Sequence, residues 1–219
     1  TQLWRTSRKQ KQLPAAAEIA EAKSRCGWDA VNLKFAANEQ GLCLTDASLS
    51  KPDMVLDLSG LAVGYIVDAA FDKMVATGVR SILINAGGDI RVGDAPPGSE
   101  GWSIMIAGLG KQSPSLSIMR VSNCAVTTSG DLNQYVEVEG RRYSHFIDPQ
   151  SGEPIERRQS VTALAATTVD ADAGATALAI LGSQRAWELF QEMPLQSAMI
   201  METAQSDLGP VRTRWLKKD

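Results

Sequence analysis

Apolar residues follow two periods along this chain, and the switches between them predict its elements. Helical spacing of Leu61, Ile66, Ala69, Ala70 and Met74 predicts a helix over 61–77, closed by Gly78. Small apolar residues from Ala171 predict a second helix to residue 181, ended by Gly182, and a third from Ser183 to Glu192. Pro14 opens a shorter helix that runs through Lys23 and ends near Gly27. Strand-like runs occur near 31–35 and 42–45, joined as a hairpin through Asn38-Glu39-Gln40-Gly41. Further strands are predicted at 54–58, 81–85, 90–92, 102–107, 116–121, 125–128, 161–166 and 198–202. Tyr135, Val136, Val138 and Tyr143 flank the turn pair Glu139-Gly140, so 134–146 reads as a hairpin. Strands come in runs with few helices between them, which predicts an α+β fold of mainly antiparallel sheets with flanking helices.

Three places on this frame carry candidate chemistry. His145 is the single histidine of the chain and lies at the end of the 134–146 hairpin, just before the turn Asp148-Pro149-Gln150-Ser151-Gly152. A side chain there is rigidly held yet near solvent, and imidazole suits proton transfer near neutral pH. The plain alternative is a hydrogen-bonded strand-end histidine. Ser144 beside it suggests a nucleophile pair, but neighbours on a strand point to opposite faces, which argues against a Ser–His hydrolase. The second place is the run from Leu56 to Asp68, in which a strand with an embedded acid, Asp57, breaks at Ser59-Gly60 and enters a helix. Such a turn presents backbone N–H groups that favour a bound anion, although many α/β turns look alike and bind nothing. The third is the pair Asp172 and Thr176, four residues apart and therefore on one helix face. Carboxylate and hydroxyl oxygens are hard ligands suited to Mg²⁺; a capping acid and a back-bonded threonine would look the same.

In this order the segments resemble the ApbE family, the FAD:protein FMN transferases. The resemblance is carried by Asp57 to Asp68, Asn85-Ala86-Gly87-Gly88-Asp89, Thr128-Ser129-Gly130-Asp131, Ser144 to Gly152, and Ala171 to Leu178. It implies transfer of FMN from FAD onto a serine or threonine hydroxyl of an acceptor flavoprotein, with Mg²⁺ assistance and release of AMP. It implies an ApbE-like, T-fold-like arrangement in one domain over 1–219. By resemblance, Asp172, Thr176 and the Gly60 carbonyl hold the metal. Asp57, position 63 and the backbone beside His145 and Phe146 line the nucleotide site, and His145 takes the proton from the attacking hydroxyl. Hydrolysis of FAD to FMN and AMP, and a non-catalytic flavin-binding module, are the alternatives.

Two departures from the family pattern matter. Val63 stands where the family usually has lysine, and a lost charge-assisted contact costs about 1.5–3 kcal/mol of nucleotide affinity. Position 1 is threonine, and the family's N-terminal portion on the adenosine side has no counterpart, so the chain is expected to be the C-terminal part of a longer protein. A net charge of −3 argues against a nucleic-acid surface, and the basic run Arg5 to Lys11 reads as a solvated loop. No apolar run approaches membrane-spanning length; a periplasmic or membrane-anchored location facing the periplasm is implied by resemblance only. Cys26, Cys43 and Cys124 have no metal-ligand spacing and are expected to be buried thiols. Gly108-Leu109-Gly110 reads as a hairpin loop, and Trp187 and Phe190 as core.

Overall fold

A computed structural model describes residues 2–39, 41–109, 117–132, 134–203 and 210–218. Two compact units divide it: Thr1–Asp57 with Pro149–Glu153, and Leu58–Asp148 with Pro154–Asp219. Among the described residues no helix is long and apolar enough to cross a membrane.

The first unit holds helices α1 (Gln2–Gln10) and α2 (Ala16–Ser24) and a hairpin of β1 (Val31–Asn38) and β2 (Gly41–Leu49). The α2 helix starts where Pro14 predicts, and the Glu18 carboxylate accepts the Ala15 N–H at 2.7 Å. The basic run is helical in α1 and not a loop. Its anchor is remote: Trp4 Nε1 donates to the Gly152 carbonyl at 3.0 Å, a contact no local pattern announces. The hairpin forms as expected with longer strands, and Gln40 of its turn lies outside the described residues. The expected strand at 54–58 does not form; the segment is irregular, and Val55 and Leu56 are exposed. β-rich composition makes a strand only where a neighbour takes up its backbone groups. Cys26 is exposed and Cys43 half-buried, so only Cys124 is the buried thiol expected. Cys26 lies just past the end of α2 and Cys43 on a two-stranded hairpin whose residues are mostly exposed, so neither is covered by a core in its unit.

The second unit contains α3 (Ala62–Ala76), then β3 (Leu83–Ala86), β4 (Asp89–Val92), β5 (Trp102–Ile106), β6 (Ser117–Val121), β7 (Cys124–Gly130), β8 (Tyr135–Val138), β9 (Arg141–Ser144) and β10 (Arg158–Ala165). It ends with α4 (Thr168–Glu192), β11 (Leu195–Thr203) and β12 (Arg212–Lys217). Six strands form one sheet in the order β12-β11-β10-β7-β4-β3, and every pairing in it is antiparallel. Central β10 is buried at every residue, and strand alternation divides it between two cores. Val161, Ala163 and Ala165 pack with Ala171, Ala175, Leu178 and Phe190 of α4. Leu164 faces the other way and packs with Cys124, Val126 and Ile104. The strand β12, rich in Arg and Lys, is a sheet edge, which is why its polar pattern does not read as strand. Leu109 is buried beside Ile106 and Met199; residues 110–116 of the predicted loop lie outside the described set.

The α3 helix turns over relative to its sequence pattern. Gly64, Val67 and Phe71 are its buried residues, whereas Ile66, Ala69, Ala70 and Met74, the stripe that predicts the helix, are exposed. Gly64 decides this: a Cβ there would lie 2.7 Å from the Thr168 carbonyl oxygen and 2.8 Å from Val169 Cα, so backbone meets backbone. One turn on, the Asp68 carboxylate accepts the N–H groups of Thr168 and Val169, each at 2.9 Å, and caps α4.

As predicted, α4 breaks at Gly182, whose φ of 72° only glycine adopts without strain. Arg157 caps the upstream half, donating to the carbonyls of Ala179 (3.1 Å) and Ile180 (2.5 Å), and Glu202 accepts the Ser183 N–H at 3.3 Å on the downstream half. Phe190 is core, but Trp187 is 43% exposed and stacks on Phe190 with ring centroids 6.0 Å apart; the last helix covers the core with one face only.

Gly64→Ala should therefore destabilise the chain by about 1–3 kcal/mol through overpacking against backbone that cannot yield. Urea unfolding of the variant checks this; an unchanged midpoint would mean that α3 and α4 can part without cost.

Candidate active site

Asp172 and Thr176 lie on the first turns of α4, where the close approach at Gly64 brings α3 onto them. Asp172 is 6% exposed, and its Oδ2 accepts the Gly64 N–H at 3.3 Å. Thr176 Oγ1 is 3.0 Å from Ser129 Oγ of β7. A Cβ built on Gly60 would stand 3.3 Å from Thr176 Cγ2, so Gly60 lies directly against Thr176. The three positions that the resemblance assigns to a metal are thus gathered at one place.

A fourth residue joins them that the site reading of the sequence omits. Asp89, at the start of β4, has its carboxyl pushed up to about 6, first by burial and then by the charge of Asp172, with Thr127 pulling the other way. Burial also raises Asp172, partly offset by the Gly64 N–H. The signal for Asp89 is its place at the end of the Asn85-Ala86-Gly87-Gly88-Asp89 turn, where Asn85 Oδ1 accepts the Gly88 N–H at 3.0 Å.

Two acids held above their ordinary range, with hydroxyl and carbonyl oxygens around them, make a donor set that fits Mg²⁺. Among the described residues no group of three or more His, Cys, Asp or Glu side chains could hold a metal.

His145 is half-buried at the mouth of the β8–β9 hairpin. Its main-chain N–H and its Nδ1 both meet the Gln134 carbonyl, at 3.1 and 3.0 Å. A carbonyl only accepts, so the neutral ring carries its proton on Nδ1 and its lone pair on Nε2. Phe146, its ring centroid 4.0 Å from that of His145, is buried in the α4 core. Its N–H goes to Ser144 Oγ at 3.2 Å, and its carbonyl accepts the Ile155 N–H at 2.9 Å. Phe146 therefore anchors the turn, and its backbone groups already have protein partners. Ser144 is buried, and its Oγ accepts the Phe146 N–H within that turn. Val63 is exposed on the first turn of α3. Asp57 belongs to the other unit, where its carboxylate pairs with Arg5 at 3.2 Å.

Residues 1–201 match the ApbE family. The chain belongs to that family. Curated relatives called FAD:protein FMN transferase include one from Salmonella typhimurium, 31% identical over 192 residues, which cover 87% of this chain and 53% of the relative. Another, from Vibrio cholerae, is 34% identical over 166 residues, 74% of this chain and 50% of the relative. The chain thus spans about half the length of the curated relatives it matches. The fold is similar to the Pseudomonas stutzeri flavinyl transferase ApbE in its apo form, with TM-score 0.72, 30% identity, and coverage of 93% of this chain and 59% of that one. It is equally similar to the flavin transferase ApbE from Vibrio cholerae, with TM-score 0.73, 27% identity, and coverage of 93% and 61%. The α+β class and antiparallel pairing expected from the ApbE-like pattern agree with these structures.

Because its folded pKa is raised, Asp89 binds its proton more tightly in the folded than in the unfolded chain. Its contribution is fully present below about pH 4 and is lost as pH rises through about 6. Asp89→Asn should therefore raise the metal-free melting temperature at pH 7.5 and change it little at pH 4, and Mg²⁺ should narrow the gap at the higher pH. Equal shifts at both pH values in chelator would show that Asp89 ionises without penalty.

Proposed function

We propose that this chain carries the site of an FAD:protein FMN transferase, which moves FMN from FAD onto a serine or threonine hydroxyl of an acceptor protein and releases AMP, with Mg²⁺ assistance. Relatives of that name support the reading. The observation that carries it is the gathering of Gly60, Asp172, Thr176 and Asp89 at the start of α3, where negative charge is in excess and oxygens abound.

Asp172, Thr176 and the Gly60 carbonyl would hold Mg²⁺, with Asp89 beside them. Bound there, the ion would offset the charge of the FAD diphosphate. His145 accepts the proton of the attacking hydroxyl at Nε2 as that oxygen bonds to the FMN phosphorus, and the AMP oxygen leaves with the electrons of the broken P–O bond. The Gln134 carbonyl, holding Nδ1–H, steadies the imidazolium so formed, as the orienting acceptor of a catalytic histidine does. Val63 supplies no cation at this turn, so nucleotide charge falls to the metal.

Calorimetry with FAD, with and without Mg²⁺, tests the metal assignment. Asp172→Ala should abolish the Mg²⁺ dependence of FAD affinity; equal affinity in all conditions removes Asp172 from the metal.

His145→Ala should leave FAD binding nearly intact and slow transfer by about 10²–10⁴-fold. Mass spectrometry of an acceptor protein carrying a target threonine reads the covalent FMN. Free FMN and AMP without labelling would mean that water replaces the hydroxyl, and FAD bound with neither product would mean a binding module. Labelling at the wild-type rate by His145→Ala would take the imidazole out of the mechanism.

A further inference from the structure

The Gln134 carbonyl decides which ring nitrogen of His145 carries the proton, so whatever holds that carbonyl sets the chemistry available at the ring. Gln134 lies one residue outside the hairpin ladder, whose last pair is Tyr135 with Ser144. Strand ends of this kind fray unless they are tied down.

The tie is a nearly buried ion pair. Arg142 of β9 donates from Nε to Asp131 Oδ2 at 3.2 Å and from Nη2 to the Asp131 main-chain carbonyl at 2.5 Å. The same guanidinium lies over the Tyr135 ring, 3.5 Å from its centroid. Asp131 is 1% exposed, and its Oδ1 accepts the Gln159 N–H of central strand β10 at 3.1 Å. The Asp131 N–H returns to the Gln159 carbonyl at 3.3 Å. One planar group therefore grips the chain three residues before Gln134 and one residue after it, and fastens both to the most buried strand of the sheet. Lysine could offer neither the fork nor the stack.

We propose that the Asp131–Arg142 pair is a positioning device: it fixes the Gln134 carbonyl and thereby selects the Nδ1–H tautomer of His145. The inference rests on reading His145 as the proton acceptor of the proposed transfer. Its physical content, the tautomer, can be read without any activity. Fixing the tautomer places the lone pair on Nε2 in every neutral molecule rather than in a fraction of them.

The chain has one histidine, so its imidazole nitrogen signals need no assignment by mutation. In the full chain labelled with ¹⁵N-histidine, two-bond proton–nitrogen correlation at a pH where the ring is neutral should show Nδ1–H alone. Arg142→Gln, with its fold checked by circular dichroism, should move His145 toward the Nε2–H form that histidine favours in water. A folded Arg142→Gln with the wild-type Nδ1–H pattern would overturn the proposal, as would a wild-type ring found as Nε2–H. Should Arg142→Gln fail to fold, Asp131→Asn, which removes the ion pair and keeps a polar group of the same size, carries the same test. A growing Nε2–H population in it supports the proposal, and an unchanged ring overturns it. Where flavin transfer is measured, kcat of Arg142→Gln should fall about 10–100-fold, as for loss of a group that orients a ligand, with KM for FAD little changed. A wild-type chain that shows the Nδ1–H ring and no transfer would sink the functional reading alone.

Discussion

At Gly64 two helices touch backbone to backbone, and most of the second unit's chemistry follows from that contact. With no side chain between them, the Gly64 N–H reaches Asp172, Gly60 comes against Thr176, and Asp68 reaches the first amides of α4. A methyl group at this position would push apart three relationships at once. The N–H given to Asp172 is also a neutral donor that offsets its burial. Capping by Asp68 is a further part of the same junction, with Arg91 of β4 standing 3.9 Å from that carboxylate.

Asp172 also meets a second acid. Asp89 and Asp172 come from a strand and a helix that are distant in sequence, and neither finds a side-chain cation at hydrogen-bonding distance among the bonds described. Burying like charges together is unfavourable unless something binds them. Part of that cost is met by protonation, since burial and the neighbouring Asp172 charge push the Asp89 carboxyl up to about 6.

How much of this the sequence carries depends on the range of the interactions. Spacing along one element is legible: Asp172 and Thr176 share a face because they are four apart, the helix stops at Gly182, and the Glu139-Gly140 hairpin delivers His145 to its mouth. Contacts between elements are not. The apolar stripe of α3 points outward because the orientation is set by the absence of a side chain at Gly64, and hydrophobic periodicity cannot weigh an absence. Helix α1 forms with a basic composition because Trp4 is held by Gly152, far along the chain. Residues 54–58 have strand composition and no strand, since a ladder needs two partners. Asp89 is visible as the end of a glycine turn, but its place beside Asp172 depends on which strand lies under α4.

The break at Gly182 has an electrostatic consequence. The peptide dipoles of α4 do not add along its whole span, because the column is cut where the backbone turns aside. Arg157 neutralises the carbonyl end of the upstream half, and Glu202 meets the amide end of the downstream half, so each half is a separate, compensated dipole. The helix dipole that acts at Asp172 is consequently that of the upstream segment alone.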